Sequence, residues 1–402
     1  MTLNTHWPQV GLEVLMNTFK RNDKLMVSGR GSYITDQDGK EYLDFISGIA
    51  VNSLGHAHPA IIDTLTEQAS QLIHSSNLFW NIPSIELGQQ LTQLSGLDKV
   101  FFSNSGAEAN EAAIKFARKW GRETKNANAT QIITMKQSFH GRTLATLSAT
   151  GQPEMHKDFA PKVDGFTYVT FNDSEALVTA VGDSTCAIML EVIQGEGGVN
   201  TLSDTFIQTI NDLQSQHKLL VIIDEVQTGI GRTGSYFSFQ QVDLQPDIIT
   251  LAKGLGGGFP IGATLATNKI ASHLRPGDHG TTFGGNPLAT AVANAVLKQI
   301  KLDNLLDNVN ARSQQLIASL TKIQETTSSI IDIRGLGLLI GVAFDDSVAV
   351  NDIIQVCYDS GLLLISAKGN VIRFLPPLNV SVSEIDQALE IFETSLGVRV
   401  ST

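Results

Sequence analysis

The chain has 402 residues, a formal net charge of −12, 17% charged and 42% hydrophobic side chains, so it is long enough for two or three domains and reads as an ordinary globular enzyme. Its acidity excludes the basic face that a nucleic-acid footprint needs and disfavours an anionic membrane surface, while one or two buried arginines would suffice to bind a small anionic substrate. Its two cysteines, Cys186 and Cys357, are far apart and give neither a disulfide framework nor a metal-ligand spacing, which points to a reducing compartment.

Residues 1–8 lack a basic region followed by an apolar one, and no apolar run approaches bilayer length; no signal peptide or membrane span is expected, and the expected location is the cytoplasm. Residues 32–46 read as a hairpin about Asp38-Gly39. From about residue 60 onward, short apolar β-branched runs alternate with helix-period stretches. The runs 131–135, 186–191, 219–224 and 247–251 have the character of parallel strands covered on both faces, and 204–217 that of an intervening helix. The fold expected is α/β: a large, doubly wound, mainly parallel sheet domain over 60–295. A smaller α+β domain is expected from 296–402 together with the N-terminal segment 1–59, containing a glycine-punctuated strand at 335–344, a helix near 348–360 and a strand near 371–375.

Five constellations carry chemistry. Asn104-Ser105-Gly106-Ala107-Glu108 has capping-box spacing ahead of a helical period; a helix N-terminus there suits a phosphate, with Gly106 admitting the anion to the backbone, although a plain capped helix is the commoner reading. Phe139-His140-Gly141-Arg142 offers a ring to stack on a planar group and an arginine to clamp a carboxylate, or merely a core Phe and a surface Arg. In Gln194-Gly195-Glu196-Gly197-Gly198 the glutamate either sits in a flexible turn or pairs with an arginine that substrate later displaces. Asp224 ends an apolar strand, where ligands of open α/β sheets bind, and a carboxylate there can hold a protonated ring nitrogen. A nucleotide-type metal carboxylate is the rival, but the glycine-rich lysine loop that would accompany it is absent. Lys253 follows another apolar strand and precedes Gly254–Gly258; most lysines are solvated surface charges, but a desolvated one here can form a Schiff base and shuttle a proton. Nothing among the nine histidines suggests a metal set.

Taken in order, these segments, with Ala252-Lys253-Gly254, Thr281-Thr282-Phe283-Gly284-Gly285-Asn286-Pro287 and Arg373-Phe374-Leu375-Pro376-Pro377, resemble the class III pyridoxal-phosphate aminotransferases, which act on ω-amino groups, over nearly the whole chain. The resemblance implies a fold-type I homodimer with shared active sites and pyridoxal 5'-phosphate as cofactor. It implies that Lys253 carries the cofactor and moves the proton and that Asp224 holds the pyridine nitrogen. Gln227 would meet the phenolic oxygen, and Phe139 would stack on the ring. Ser105, Gly106 and Ala107 would bind the phosphate, and Thr282 would reach the phosphate of the neighbouring subunit, with Thr281 near the substrate. Arg142 and Arg373 would be the two carboxylate-binding arginines, with Glu196 covering Arg373 when a distal amine reacts. The reaction implied is transfer of the distal amino group of N2-acetyl-L-ornithine to 2-oxoglutarate, in arginine biosynthesis. Succinylornithine, succinyldiaminopimelate or 4-aminobutyrate are alternative donors, and a same-fold aminomutase or racemase is an alternative class. The ornithine enzymes of this family carry a tyrosine in the segment matching 47–52, where this chain has Ile49 or a neighbour, which favours an acylated donor.

Overall fold

The structure, a computed structural model, describes residues 7–397; residues 1–6 and 398–402, and with them most of the stretch read for a signal peptide, lie outside the described residues. Three N-terminal strands come first, β1 (Met26–Arg30), β2 (Tyr33–Asp36) and β3 (Glu41–Asp44). The hairpin expected about Asp38-Gly39 is β2–β3, paired antiparallel with Tyr33 opposite Leu43.

The central sheet is built from β4 (Lys99–Ser103), β5 (Gln131–Met135), β6 (Phe166–Val169), β7 (Thr185–Leu190), and, beyond the two-residue strands β8 (Ile193–Gln194) and β9 (Asn200–Thr201), from β10 (Leu220–Asp224), β11 (Ile248–Leu251) and β12 (Gly262–Ala266). Its order is β4-β12-β11-β10-β7-β5-β6. The four runs read as strands are β5, β7, β10 and β11, and they lie side by side in parallel. Along β10, Leu220 and Ile222 enter one apolar cluster with Ala113, Phe116 and Trp120 of helix 106–124, while Val221 and Ile223 enter the other with Phe206 and Ile210 of helix 204–217. Alternate side chains point to opposite faces of a strand, so an all-apolar run is what a sheet covered on both sides requires.

β12 alone is reversed, antiparallel to both β11 and β4. The connection 252–261 is too short for the helical crossover that a parallel return needs, so the chain turns back at once and places Lys253 in that turn.

Past helices 287–302 and 305–326 come β13 (Ile330–Leu336), β14 (Leu339–Phe344), β15 (Leu362–Leu363), β16 (Ile365–Ala367) and β17 (Val371–Phe374), with helix 350–359 before β15. The stretch 335–344, expected as one strand, is instead the end of the first arm, the turn and the second arm of the β13–β14 hairpin, Leu336 pairing with Leu339. Gly337 makes the turn at φ +58°, and a Cβ there would lie 2.5 Å from the Arg232 carbonyl oxygen, so the glycine serves a backbone-to-backbone contact rather than a pause within a strand. β13, β14, β17 and β16 form a second sheet. β15 joins the N-terminal hairpin instead, pairing parallel with β3, so the two ends of the chain share one sheet. No helix among the described residues is long and apolar enough to cross a membrane.

Candidate active site

A cavity of about 450 Å³ opens at the carboxyl ends of β7, β10 and β11, lined by Ser105, Gly106, Ala107, Phe139, Arg142, Glu196, Asp224, Gln227 and Lys253 among others. Nine residues singled out from separate segments of the sequence thus face one space.

Asp224 is held from three directions. Asn110 Nδ2 donates to Oδ2 at 2.7 Å, His140 Nδ1 lies 2.8 Å from the same oxygen, and the Val226 N–H donates to Oδ1 at 3.0 Å. Asn110 is itself fixed: Thr250 Oγ1 donates to its Oδ1 at 2.7 Å, and its Nδ2 also donates to the His140 carbonyl at 2.8 Å. A carboxylate accepts only, so Nδ1 of His140 carries the hydrogen; its Nε2 is buried with no hydrogen-bond partner among the described residues. The 4% exposed Asp224 side chain therefore presents its charge to the cavity in one fixed orientation.

Lys253 stands two residues beyond β11 with φ +42°, a left-handed conformation that costs a side-chain-bearing residue of order 1–3 kcal/mol and is retained where the surroundings dictate it. Burial pushes its pKa below the ordinary 10.5, against the opposing pull of Glu196, Asp224 and Glu191. Its amine is thereby more available in the neutral, nucleophilic form than that of a surface lysine.

Arg373, on β17, is 1% exposed. It grips Glu196 with both prongs, Nη1 to Oε1 at 2.7 Å and Nη2 to Oε2 at 3.1 Å, and also donates to the carbonyls of Gly195 and Ser366. Burial alone would raise the Glu196 pKa; the charge and hydrogen bonds of Arg373 overcome that and hold it below the usual carboxylate value. Gln227 bridges the pair at 3.4 Å to each partner. Arg142, in contrast, is exposed at the mouth, its guanidinium 5.6 Å from the centre of the Phe139 ring.

Helix 106–124 begins at the cavity, with Ser105 as N-cap accepting from the Glu108 N–H at 3.2 Å. The expected capping box is displaced by one residue: the Glu108 carboxylate takes the Asn104 N–H at 2.6 Å, not that of Ser105. Gly106 also has a packing reason to be a glycine. A Cβ there would meet Val226 Cγ1 at 2.7 Å, so the glycine lets the helix start pack on the loop after β10. Gly106 and Ala107, in the first turn of this helix, line the cavity.

Thr281, Thr282 and Arg373 are absent from the lining. Thr281 touches its edge, accepting from Asn104 Nδ2 at 3.1 Å. Thr282 is exposed in a loop stitched to residues 77–81: Asn77 Nδ2 donates to the Thr281 and Gly284 carbonyls and Asn81 Nδ2 to that of Gly285. Around it Leu78, Phe79, Trp80, Ile82 and Phe283 are all more than 60% exposed, an apolar surface of the kind that marks an interface. In the segment 47–52 it is Val51, not Ile49, that lines the cavity. Residues 47–50 all have positive φ, and this left-handed turn directs Ile49 against the core.

Sequence reasoning missed the roles of Asn110 and His140, and it missed Glu191. Glu191 directly follows β7, lines the cavity and accepts from the Phe139 N–H at 3.3 Å. Burial first, then the neighbouring Asp224 charge, raises its pKa well above that of an ordinary glutamate. Its signal was its place: it ends the strand next to the one that Asp224 ends.

These residues fit pyridoxal phosphate: a fixed buried carboxylate for a ring nitrogen, a helix start for a phosphate, a partly desolvated amine for an aldehyde and a flat ring for stacking. The sequence profile described as Aminotransferase class-III matches residues 18–396. An acetylornithine aminotransferase of Caldanaerobacter subterraneus subsp. tengcongensis is 48% identical over 95% of this chain and 97% of its own. An ornithine aminotransferase of Toxoplasma gondii, whose structure is described as showing partial occupancy of PLP at the active site, superposes with a TM-score of 0.93 at 32% identity, over 97% of this chain and 93% of its own. The N-acetylornithine aminotransferase of Stenotrophomonas maltophilia K279a gives a TM-score of 0.83 at 36% identity, over 97% and 98% of the two chains.

Proposed function

The chain belongs to the class-III aminotransferases, pyridoxal-phosphate enzymes of fold-type I, and from that premise we propose that it moves the distal amino group of N2-acetyl-L-ornithine to 2-oxoglutarate, yielding N-acetyl-L-glutamate 5-semialdehyde and L-glutamate. The observation that carries this reading is the Glu196–Arg373 clasp, whose Glu196 lines the same cavity as Lys253 and Asp224. One pocket must present a distal amine in one half-reaction and an α-amine in the next, and an arginine that a carboxylate can neutralise serves both.

When bound, pyridoxal phosphate supplies an aldehyde that condenses with amines and a ring that accepts the electron pair left by a departing proton. Lys253 Nζ, favoured as a free amine by burial, takes the proton from the amine-bearing carbon of the donor and would deliver it to the cofactor's aldehyde carbon, so that the amino group stays with the cofactor. Asp224, held by Asn110 and His140, would keep the ring nitrogen protonated; Gln227 would meet the phenolic oxygen and Phe139 would stack on the ring. Ser105, Gly106 and Ala107 would hold the phosphate. With Arg373 covered by Glu196, the exposed Arg142 takes the carboxylate of the acylated donor. When Glu196 withdraws, Arg373 receives the α-carboxylate of glutamate. Val51, apolar at the cavity wall, offers no partner to a free α-amine and so suits an acylated one.

Thr282 lies outside its own chain's cavity but among exposed apolar side chains. That placement supports a homodimer in which Thr282 reaches the phosphate in the second copy. The two buried, unpaired cysteines suit a cytoplasmic setting.

The test is an absorbance spectrum of the purified protein before and after N2-acetylornithine, with no oxo acid present. The expected result is loss of the visible cofactor band and its return on adding 2-oxoglutarate, with Lys253→Ala inert in both steps. A band that persists with acetylornithine but fades with 4-aminobutyrate would reassign the donor, and turnover without any oxo acid would make the enzyme a mutase.

A further inference from the structure

The loop that carries Glu196 is held from outside the cavity by a residue the reaction does not touch. Arg334, on β13, donates to the Gly198 carbonyl through both Nε at 3.0 Å and Nη2 at 2.8 Å. Its third nitrogen, Nη1, pairs with Asp332 Oδ2 at 2.7 Å. The guanidinium plane is therefore fixed by a carboxylate on one side and spends its remaining edge on a single backbone oxygen. Gly198 has φ +117°, and a Cβ there would lie 2.8 Å from the Lys368 carbonyl and 3.4 Å from Arg334 Nη2, so the loop is in close contact with this clamp.

Other bonds complete the hold. The Lys368 N–H donates to the Glu196 carbonyl at 3.2 Å, and the Val199 N–H closes the turn on the Gln194 carbonyl at 2.9 Å. Gln194 Nε2 ties the start of the loop to the Lys136 carbonyl at 2.9 Å. Most of these are single neutral bonds; Arg334 supplies the paired, charge-assisted contact that fixes the distal arm. A two-pronged Glu196–Arg373 contact tolerates little displacement of the backbone that bears Glu196.

We infer that Arg334 is a positioning residue for the Glu196 gate: by pinning the Gly198 carbonyl it holds Glu196 in register with Arg373 and so favours the covered state that the amino-donor half-reaction uses. The inference rests on the proposed two-substrate reading of this site. Loosening the loop shifts the balance toward uncovered Arg373. The donor half-reaction then loses, because an exposed Arg373 competes for the donor's carboxylate and presents the wrong end. Binding of a dicarboxylate gains, because the open form no longer has to be recruited from a minor population.

The test is Arg334→Met in the holoenzyme, with Arg334→Lys as the variant that retains one donor. Each half-reaction is followed separately by rapid-mixing absorbance, with N2-acetylornithine in one and 2-oxoglutarate in the other. Glutarate, a dicarboxylate without an amine, is titrated as an unreactive ligand, and the thermal midpoint is recorded. In Arg334→Met the donor half-reaction is expected to slow about tenfold in kcat/KM with the oxo-acid half-reaction within about twofold. Glutarate should bind severalfold more tightly, the midpoint should move little, and Arg334→Lys should fall between. Parallel loss in both half-reactions with unchanged glutarate affinity would mean that Arg334 merely stabilises the fold, and unaltered behaviour throughout would mean that the clamp has no role in the gate; either overturns the inference. If the wild-type protein ignores N2-acetylornithine, the assigned donor is wrong, and the glutarate titration still decides for or against Arg334.

Discussion

Glu191 and Glu196 are two carboxyl groups of one cavity pushed in opposite directions by their surroundings. Glu196 has a bidentate arginine and titrates low; Glu191 has one long hydrogen bond and another carboxylate nearby and titrates high. The sign for Glu191 is definite. Its folded pKa exceeds the ordinary 4.5, so the folded state binds the proton more tightly than the unfolded chain does. The associated stability is present below pH 4.5 and is lost as pH rises toward the raised value. Glu191→Gln removes that dependence while keeping the shape and an acceptor for the Phe139 N–H. The variant should gain on the wild type as pH rises through this window, by about 1–3 kcal/mol at the upper end, the usual cost of a poorly partnered buried polar group. Urea unfolding at pH 5, 6.5 and 8 measures this, and a gap independent of pH would show that Glu191 is charged in both states. Asp224 and Lys253 could be picked out from the sequence because one ends an apolar strand and the other closely follows one. The bonds from Asn110 and His140 could not, because they join residues 114 and 84 positions away from Asp224.

Among elements, the decisive contacts are those that bring strand ends together. β5, β7, β10 and β11 are visible in the sequence as unbroken apolar runs, because burial on both faces leaves no polar alternation. β12 and the β13–β14 hairpin are not. Gly262-Ala263-Thr264-Leu265-Ala266 is small and barely patterned, and its reversal follows from the shortness of the preceding connection. Gly335 and Gly337 look like pauses within a strand until Gly337 is found against the Arg232 backbone. Arg232 itself is buried with no acidic partner among the described residues, its Nη1 donating to the Leu338 and Pro376 carbonyls, and burial pushes its pKa down to about 9. The hairpin turn, the loop after β10 and the segment following Arg373 are thus locked to one another. Gly337→Ala combines an unfavourable φ with a backbone overlap and should cost about 2 kcal/mol or more. Thermal denaturation against the wild type reads this out, and a variant of unchanged midpoint would mean that the turn yields freely.

For the whole molecule, the question is what covers the surface formed by residues 78–82 and Phe283. Trp80 is 93% exposed and Leu78 86%, and their segment is bonded to the loop that carries Thr282. A second copy covering this surface would bury these side chains and bring Thr282 to the neighbouring cavity. Sedimentation of the wild type should show a dimer at micromolar concentration. Trp80→Asp combined with Phe283→Asp should shift it to monomer and weaken retention of pyridoxal phosphate on dialysis. A wild-type monomer would overturn the shared site, and so would a monomeric variant that retains the cofactor.

The sequence by itself determined the strand character of the sheet core, because burial on both faces imposes a local pattern, and its ordered motifs carried the resemblance to the family and its cofactor; of the residues it singled out, Lys253, Asp224, Arg142 and Glu196 line one cavity and Arg373 meets Glu196 at its edge. Only the tertiary structure decided that Glu196 already clasps Arg373, that Asn110 and His140 orient Asp224, that Gly106 also packs against Val226, and that Arg334 bonds the loop carrying Glu196. Those are contacts between residues far apart in the chain, and their geometry is set by the packing of whole elements, which no local window of sequence contains.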